Sequence, residues 1–312
     1  MSLTHRVVTG VLMKSRRFYD PAQPRDYAAD RKRELALSSG VKLPQGVQLW
    51  QEALGGVPAE WVTGKNNADD RIVLYIHGGG FVTGSAAARR SFTLYLAHRL
   101  GLNTVSPDYR LAPEHPFPQA PDDCLAAYRA LLLRYPAEKI VLLGESAGGN
   151  LVLSLLLRLK ALSLPLPAGT FALSPAVQFD RELPSYRENL PIDCVVTNLS
   201  EEVRDVYLRS REESVLKNPL AAPLYGDYRG CTPVVLWVSD SEVLRDDSLL
   251  LFSRLKEQKV STKLYIRSGM MHTWLTVPDF DESKKDLPVL VADILEVLYG
   301  SLHGEELPIH VG

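Results

Sequence analysis

Cysteine is scarce in this 312-residue chain: Cys124, Cys194 and Cys231 are odd in number and show no C-x-x-C spacing. That argues against both a disulfide framework and a zinc site, and leaves them as small apolar residues. An excess of charge of either sign is missing too. Lysine and arginine total 35 against 37 aspartates and glutamates, and no basic stretch is interleaved with aromatics, so no nucleic acid partner is expected. No apolar run approaches the ~20 residues of a membrane helix. The N-terminus, MSLTHRVVTGVLMKSRRF, lacks the uninterrupted apolar core and small-residue cleavage site of a signal peptide, which leads us to expect a soluble, cytoplasmic protein with no membrane span. Internal repeats and low-complexity segments are absent. The single Gly-Lys pair, Gly64-Lys65, is followed by Asn66, not by the Ser or Thr that a phosphate-cradling loop requires.

What the chain does have is rhythm. Residues 3–18 place Leu3, Val7, Val11 and Leu12 at helical spacing, and a second, weaker helix spans 26–38 and closes at Gly40. Lying ahead of the first strand, this pair suits a lid or an interaction surface, or else simple packing on the side of the domain. Residues 47–50 and 60–62 read as an antiparallel pair around Gly55-Gly56, followed by a polar turn over 64–70. Strands at 71–76, 102–106, 139–143, 170–173, 233–238 and 263–266 then alternate with helices at 86–100, 121–135, 246–258 and 284–299. Such alternation predicts an α/β fold with a mainly parallel sheet and helices on both faces, and the length suits one main domain. Residues 177–229 break the pattern with a helix near 200–208 among proline-rich loops. We read that segment as an insertion folding over the site together with the N-terminal helices.

In a sheet of this kind, sites form outside the carboxyl ends of the strands. KIVLLGESAGGN, residues 139–150, runs from an apolar strand through Gly144-Glu145-Ser146-Ala147-Gly148 into an aliphatic helix, the context in which G-x-S-x-G presents a nucleophilic serine on a sharp turn. The N–H of Ala147, at the helix start, is a candidate oxyanion donor. His77-Gly78-Gly79-Gly80-Phe81 leaves another strand, and its glycines expose backbone N–H groups of the kind that stabilise an oxyanion. We take His77 itself as a residue that shapes this loop. A serine hydroxyl needs a base. Of His5, His77, His98, His115, His272, His303 and His310, His272 alone combines a position after the last strand with the order serine, acid, histidine. The acid should follow the strand at 233–238, where spacing alone leaves Asp240 and Glu242 open, while Asp246 and Asp247 have a sufficient reason in the dipole of the helix they begin. Phe81, Met271 and Trp274 flank these loops as candidate walls of an apolar acyl pocket.

Taken together, HGGGF, DYRLAPEHPFP, GESAGG, EVLRDD and GMMH, spread over 72–276, resemble the hormone-sensitive-lipase-like esterases of the α/β-hydrolase fold. That resemblance implies a serine carboxylesterase acting on a small-molecule ester of short to medium chain length, with neither metal nor organic cofactor. It also implies oxyanion donors at Gly79 and Gly80, a helical cap formed by 1–45 on a catalytic domain of 46–312, and the acid at the first position of D-x-L-x-D-[DE]. Here that position holds Glu242, a departure from the aspartate of the pattern, 30 residues ahead of His272. Glu242 is therefore the expected acid, with Asp240 in reserve. Rival readings are a non-enzymatic small-ligand receptor on the same scaffold, or an amide deacetylase or lactone hydrolase using the same three residues. An uncovered last strand would pair two copies in a homodimer.

Overall fold

The computed structural model describes residues 1–300 except 24, 39, 65–69 and 102. Most of the expected polar turn, together with His303 and His310, lies outside these residues. Strands β1 (Gln48–Gln51), β2 (Ala59–Thr63), β3 (Ile72–Ile76), β4 (Asn103–Pro107), β5 (Ile140–Glu145), β6 (Gly169–Leu173), β7 (Val234–Ser239) and β8 (Thr262–Arg267) form one sheet in the order β1-β2-β4-β3-β5-β6-β7-β8. β2 runs antiparallel to β1 and β4, and every other neighbouring pair is parallel. The central strands are near-continuous runs of branched and aliphatic residues because both faces are covered.

The helices are α1 (Leu3–Ser15), α2 (Tyr27–Leu37), α3 (Arg90–Leu100), α4 (Gln119–Leu131), α5 (Ala147–Ala161), α6 (Pro184–Glu188), α7 (Leu199–Glu202), α8 (Glu213–Leu216), α9 (Arg245–Glu257) and α10 (Asp281–Tyr299). Alternate residues of each strand serve opposite faces. Ile72, Leu74, Ile76, Leu142, Ala172 and Leu236 pack with α4, α5 and α9, whereas Val73, Tyr75, Leu143, Phe171 and Trp237 pack with α3 and α10.

Register decides which loops meet. Ile76 pairs with Gly144, Glu145 with Leu173, and Leu173 with Trp237. The residues leaving β3, β5, β6 and β7 are thus neighbours at one sheet edge. The segment after β6 carries α6, α7 and α8, all short. The helix expected near 200–208 is split, with α7 running into a π-helical turn over Val203–Leu208. Val203, Tyr207, Leu208 and Leu216 join the cluster beneath α5. Of the two N-terminal helices, α2 is bolted to the site edge by Arg31, which donates to the carbonyls of Val82 (2.7 Å) and Ala112 (2.6 Å). In α1 only His5 is buried. Leu3, Val7 and Val11, which the helical spacing sets on one stripe, face outward.

Candidate active site

Ser146 sits between β5 and α5 at φ 55°, ψ −118°. Few side chains hold such a backbone without surrounding constraint. The constraint is close packing: a Cβ on Gly148 would lie 2.0 Å from the Ile76 carbonyl oxygen, and one on Gly144 would lie 2.3 Å from that of Gly148. Only glycine lets the turn close this tightly. The same approach brings the glycine loop against the serine, since a Cβ on Gly78 would stand 3.1 Å from Ser146 Cβ. No hydrogen bond among the described residues takes the N–H of Gly79 or Gly80. Ala147, as the first residue of α5, has no partner for its N–H within the helix. These are donors left free for a ligand.

The imidazole of His272 is buried and donates from Nδ1 to Glu242 Oε2 at 2.5 Å. With the proton on Nδ1, Nε2 carries a bare lone pair, and that nitrogen is buried without a partner. The Ser146 hydroxyl makes no hydrogen bond among the described residues either. Glu242 is fully buried, and its second oxygen accepts from the Ser239 N–H (2.6 Å) and from Ser174 Oγ (2.8 Å). Burial lowers the His272 pKa, but the hydrogen bond and charge of Glu242 outweigh it and hold the ring above its ordinary value. Asp240 is engaged elsewhere, accepting from the Gly269 N–H (2.9 Å) and from Ser241 Oγ (2.6 Å). Asp246 and Asp247 do more than meet a helix dipole: their carboxylates accept from the Ser185 N–H and the Val177 N–H, anchoring the segment after β6 onto α9. Burial, though opposed by these hydrogen bonds, pushes the Asp247 carboxyl up to about 7.

His77 donates from Nδ1 to the Gly78 carbonyl (2.8 Å) and stacks on Tyr109 at 4.3 Å, a residue that shapes the loop. Phe81 is fully buried, stacked on Tyr207 at 4.0 Å. Trp274 is buried in the cluster on the α3 and α10 face and donates its indole N–H to Asp286 (3.0 Å), so it is a core residue and not a pocket wall. Met271 is half-buried beside His272.

Several residues at this edge carry no motif. Asn189 donates to the carbonyls of Asp240 and Glu242, both at 2.8 Å, and Asp193 accepts the Val243 N–H at 2.8 Å. Both come from the segment after β6, where sequence offers no register. Ser174, directly after β6, was findable as a polar residue at a strand's carboxyl end. His5 accepts the Met271 N–H at 3.2 Å, so α1 touches the histidine loop. Glu145, the residue before Ser146, accepts from Tyr75 Oη, from the Gly78 N–H and from Arg89 Nε, while Arg89 reaches on to Glu34 of α2. This ladder, buried at Glu145 and half-buried at Arg89 and Glu34, ties elbow, glycine loop and α2 together. Arg89→Met, which strands the Glu145 charge, is expected to cost about 3–5 kcal/mol of stability. Urea denaturation measures it, and a loss below about 1 kcal/mol would show the ladder to be dispensable.

Fold and site together define an α/β hydrolase, and comparison with known proteins agrees. Residues 73–276 match the family described as alpha/beta hydrolase fold. An acetyl-hydrolase of Streptomyces hygroscopicus is 31% identical over 254 residues, covering 81% of this chain and 82% of its own length. An esterase of Acinetobacter venetianus is 31% identical over 253 residues, 80% of this chain and 81% of its own. The crystal structure of an esterase from the bacterial hormone-sensitive lipase family superposes with a TM-score of 0.87 at 32% identity, over 96% of this chain and 99% of that one. The chain belongs to the hormone-sensitive-lipase-like esterases of the α/β-hydrolase fold.

Proposed function

We propose that this carboxylic ester hydrolase works by a serine acyl-enzyme mechanism on short- to medium-chain esters. Ser146 Oγ attacks the ester carbonyl as its proton passes to His272 Nε2, and the N–H groups of Gly79, Gly80 and Ala147 receive the oxyanion. Collapse of the tetrahedral intermediate breaks the C–O bond and releases the alcohol, which takes the proton from His272. Water, deprotonated by the same nitrogen, then frees the acid and restores the serine. Residues 1–45 and the segment near 177–229 act as the cap. Leu199 of α7 stands over the oxyanion loop, 3.5 Å from where a Gly80 Cβ would be.

The observation that carries this reading is the anchored imidazole, whose proton is committed to a buried carboxylate while its basic nitrogen stays buried and unpartnered, in a loop leaving the same sheet as the serine turn. Apo enzymes commonly leave the serine–histidine hydrogen bond open until substrate arrives. Nitrophenyl esters of graded chain length test the proposal, with kcat/KM expected to be greatest for acetyl to hexanoyl chains. Because Nε2 must be unprotonated and Glu242 raises its pKa, kcat/KM should climb with pH through a midpoint above the ordinary imidazole value of 6.5. Inactivity on every ester, or faster cleavage of the matching anilides, would replace the esterase reading.

A further inference from the structure

The outer face of α1 has no role in the mechanism just described. Leu3, Val7 and Val11 recur every four residues, so they form a single stripe along the helix, and they are 71%, 57% and 62% exposed. Met1 before the helix and Phe18 after it are also exposed, at 63% and 52%. Surface helices ordinarily turn such a stripe inward. Here the inward side is held by other means: His5 is fully buried, stacks on Phe280 at 5.0 Å and accepts the Met271 N–H, while Ser2 donates to Glu282. The outward orientation is therefore built in.

Charge identifies the occupant. Residues 1–19 contain Arg6, Lys14, Arg16 and Arg17 and no acidic residue, in a chain whose net charge is −2. Arg6 and Lys14 are exposed along the apolar stripe, whereas Arg17, 63% exposed, pairs with Asp30 at 3.7 Å. Arg16 turns inward to the carbonyls of Leu190 and Asp193. A symmetric contact between two copies would set these cations against themselves. An apolar stripe edged by cations instead suits a lipid surface bearing anionic headgroups, on which a helix lies with its apolar side in the acyl boundary.

We infer that α1 is an interfacial docking helix that seats the protein on anionic lipid surfaces. Through the His5–Met271 contact the docked helix adjoins the His272 loop, so the surface is brought to the site edge. Resting on the esterase reading, the substrate class becomes amphiphilic esters dispersed in such a surface. No helix among the described residues is long and apolar enough to cross a membrane, so this attachment is peripheral.

The experiment is co-sedimentation of the full chain with vesicles of phosphatidylcholine alone or mixed with phosphatidylglycerol, in low and high salt. Binding is expected only to the mixed vesicles, weakening as salt rises. Val7→Glu/Val11→Glu should lower partitioning at least tenfold and Arg6→Glu/Lys14→Glu more than fivefold, each basic residue near such a surface being worth about fivefold. Both variants should hydrolyse soluble nitrophenyl acetate as the parent does, which also shows that they fold. Equal binding by the variants, no binding by the parent, or lipid-free dimerisation that Val7→Glu abolishes would overturn the inference. Sedimentation requires no turnover, so a failed esterase reading would show in the soluble assay alone.

Discussion

Ser146→Ala is expected to lower kcat by about ten-thousand- to million-fold while leaving the fold in place. The hydroxyl makes no hydrogen bond among the described residues, so its removal strands no partner. The strained turn also survives, because Gly144 and Gly148 still close it and alanine has the same Cβ as serine. Activity and stability are thereby separated: thermal unfolding should match the parent within about 1 kcal/mol, whereas loss of a structural serine would lower both. Residual catalysis of about a thousandfold over water should persist from the oxyanion donors and substrate binding. A phosphonate ester should label the parent at Ser146 and leave the variant unmodified. Labelling elsewhere, or activity within tenfold of the parent, would remove Ser146 from the chemistry.

That serine was legible because three local signals coincide: an apolar strand, glycines where a side chain would collide, and an aliphatic helix. Gly148 shows why the pattern is a physical requirement, since a methyl there would overlap the Ile76 carbonyl. The parallel sheet was legible for a similar reason, as strands buried on both faces are uniformly apolar and separated by amphipathic helices. Contacts made by long excursions of the chain left less trace. Asn189 and Asp193 reach the acid loop from the segment after β6, and nothing in their neighbourhood encodes where that segment lands. For α1 the helical spacing marked the stripe but not its direction: such a stripe usually faces inward, and here it faces outward. Trp274 looked like a pocket wall from its place in the chain, but the hydrogen bond to Asp286 and the packing on Trp237 hold it on the far face of the sheet.

Between Glu242 and Asp240, open on spacing, it is Glu242 that contacts His272 while Asp240 is engaged with Gly269; we propose Glu242 as the acid, and Glu242→Gln carries the second large expected loss, about ten-thousandfold in kcat. The carboxylate takes three donors, His272 Nδ1–H at one oxygen and the Ser239 N–H and Ser174 Oγ–H at the other. An amide cannot satisfy this arrangement in either orientation. With its oxygen toward Ser239 and Ser174, its NH2 meets Nδ1 and drives the histidine proton to Nε2, which can then no longer accept one from Ser146. With its oxygen toward His272, the NH2 is set against the Ser239 N–H, donor against donor in a buried site. Glu242→Asp should fall between parent and amide, because a side chain one methylene shorter cannot hold the imidazole and the Ser239–Ser174 pair together. Asp240→Asn keeps an oxygen for the Gly269 N–H and should stay within tenfold of the parent. Parallel kcat measurements on the three variants, with far-UV dichroism to confirm folding, resolve the assignment. Were Asp240→Asn to fall as far as Glu242→Gln, the acid would have to be sought at residue 240, and the geometry around His272 would not be that of the working enzyme.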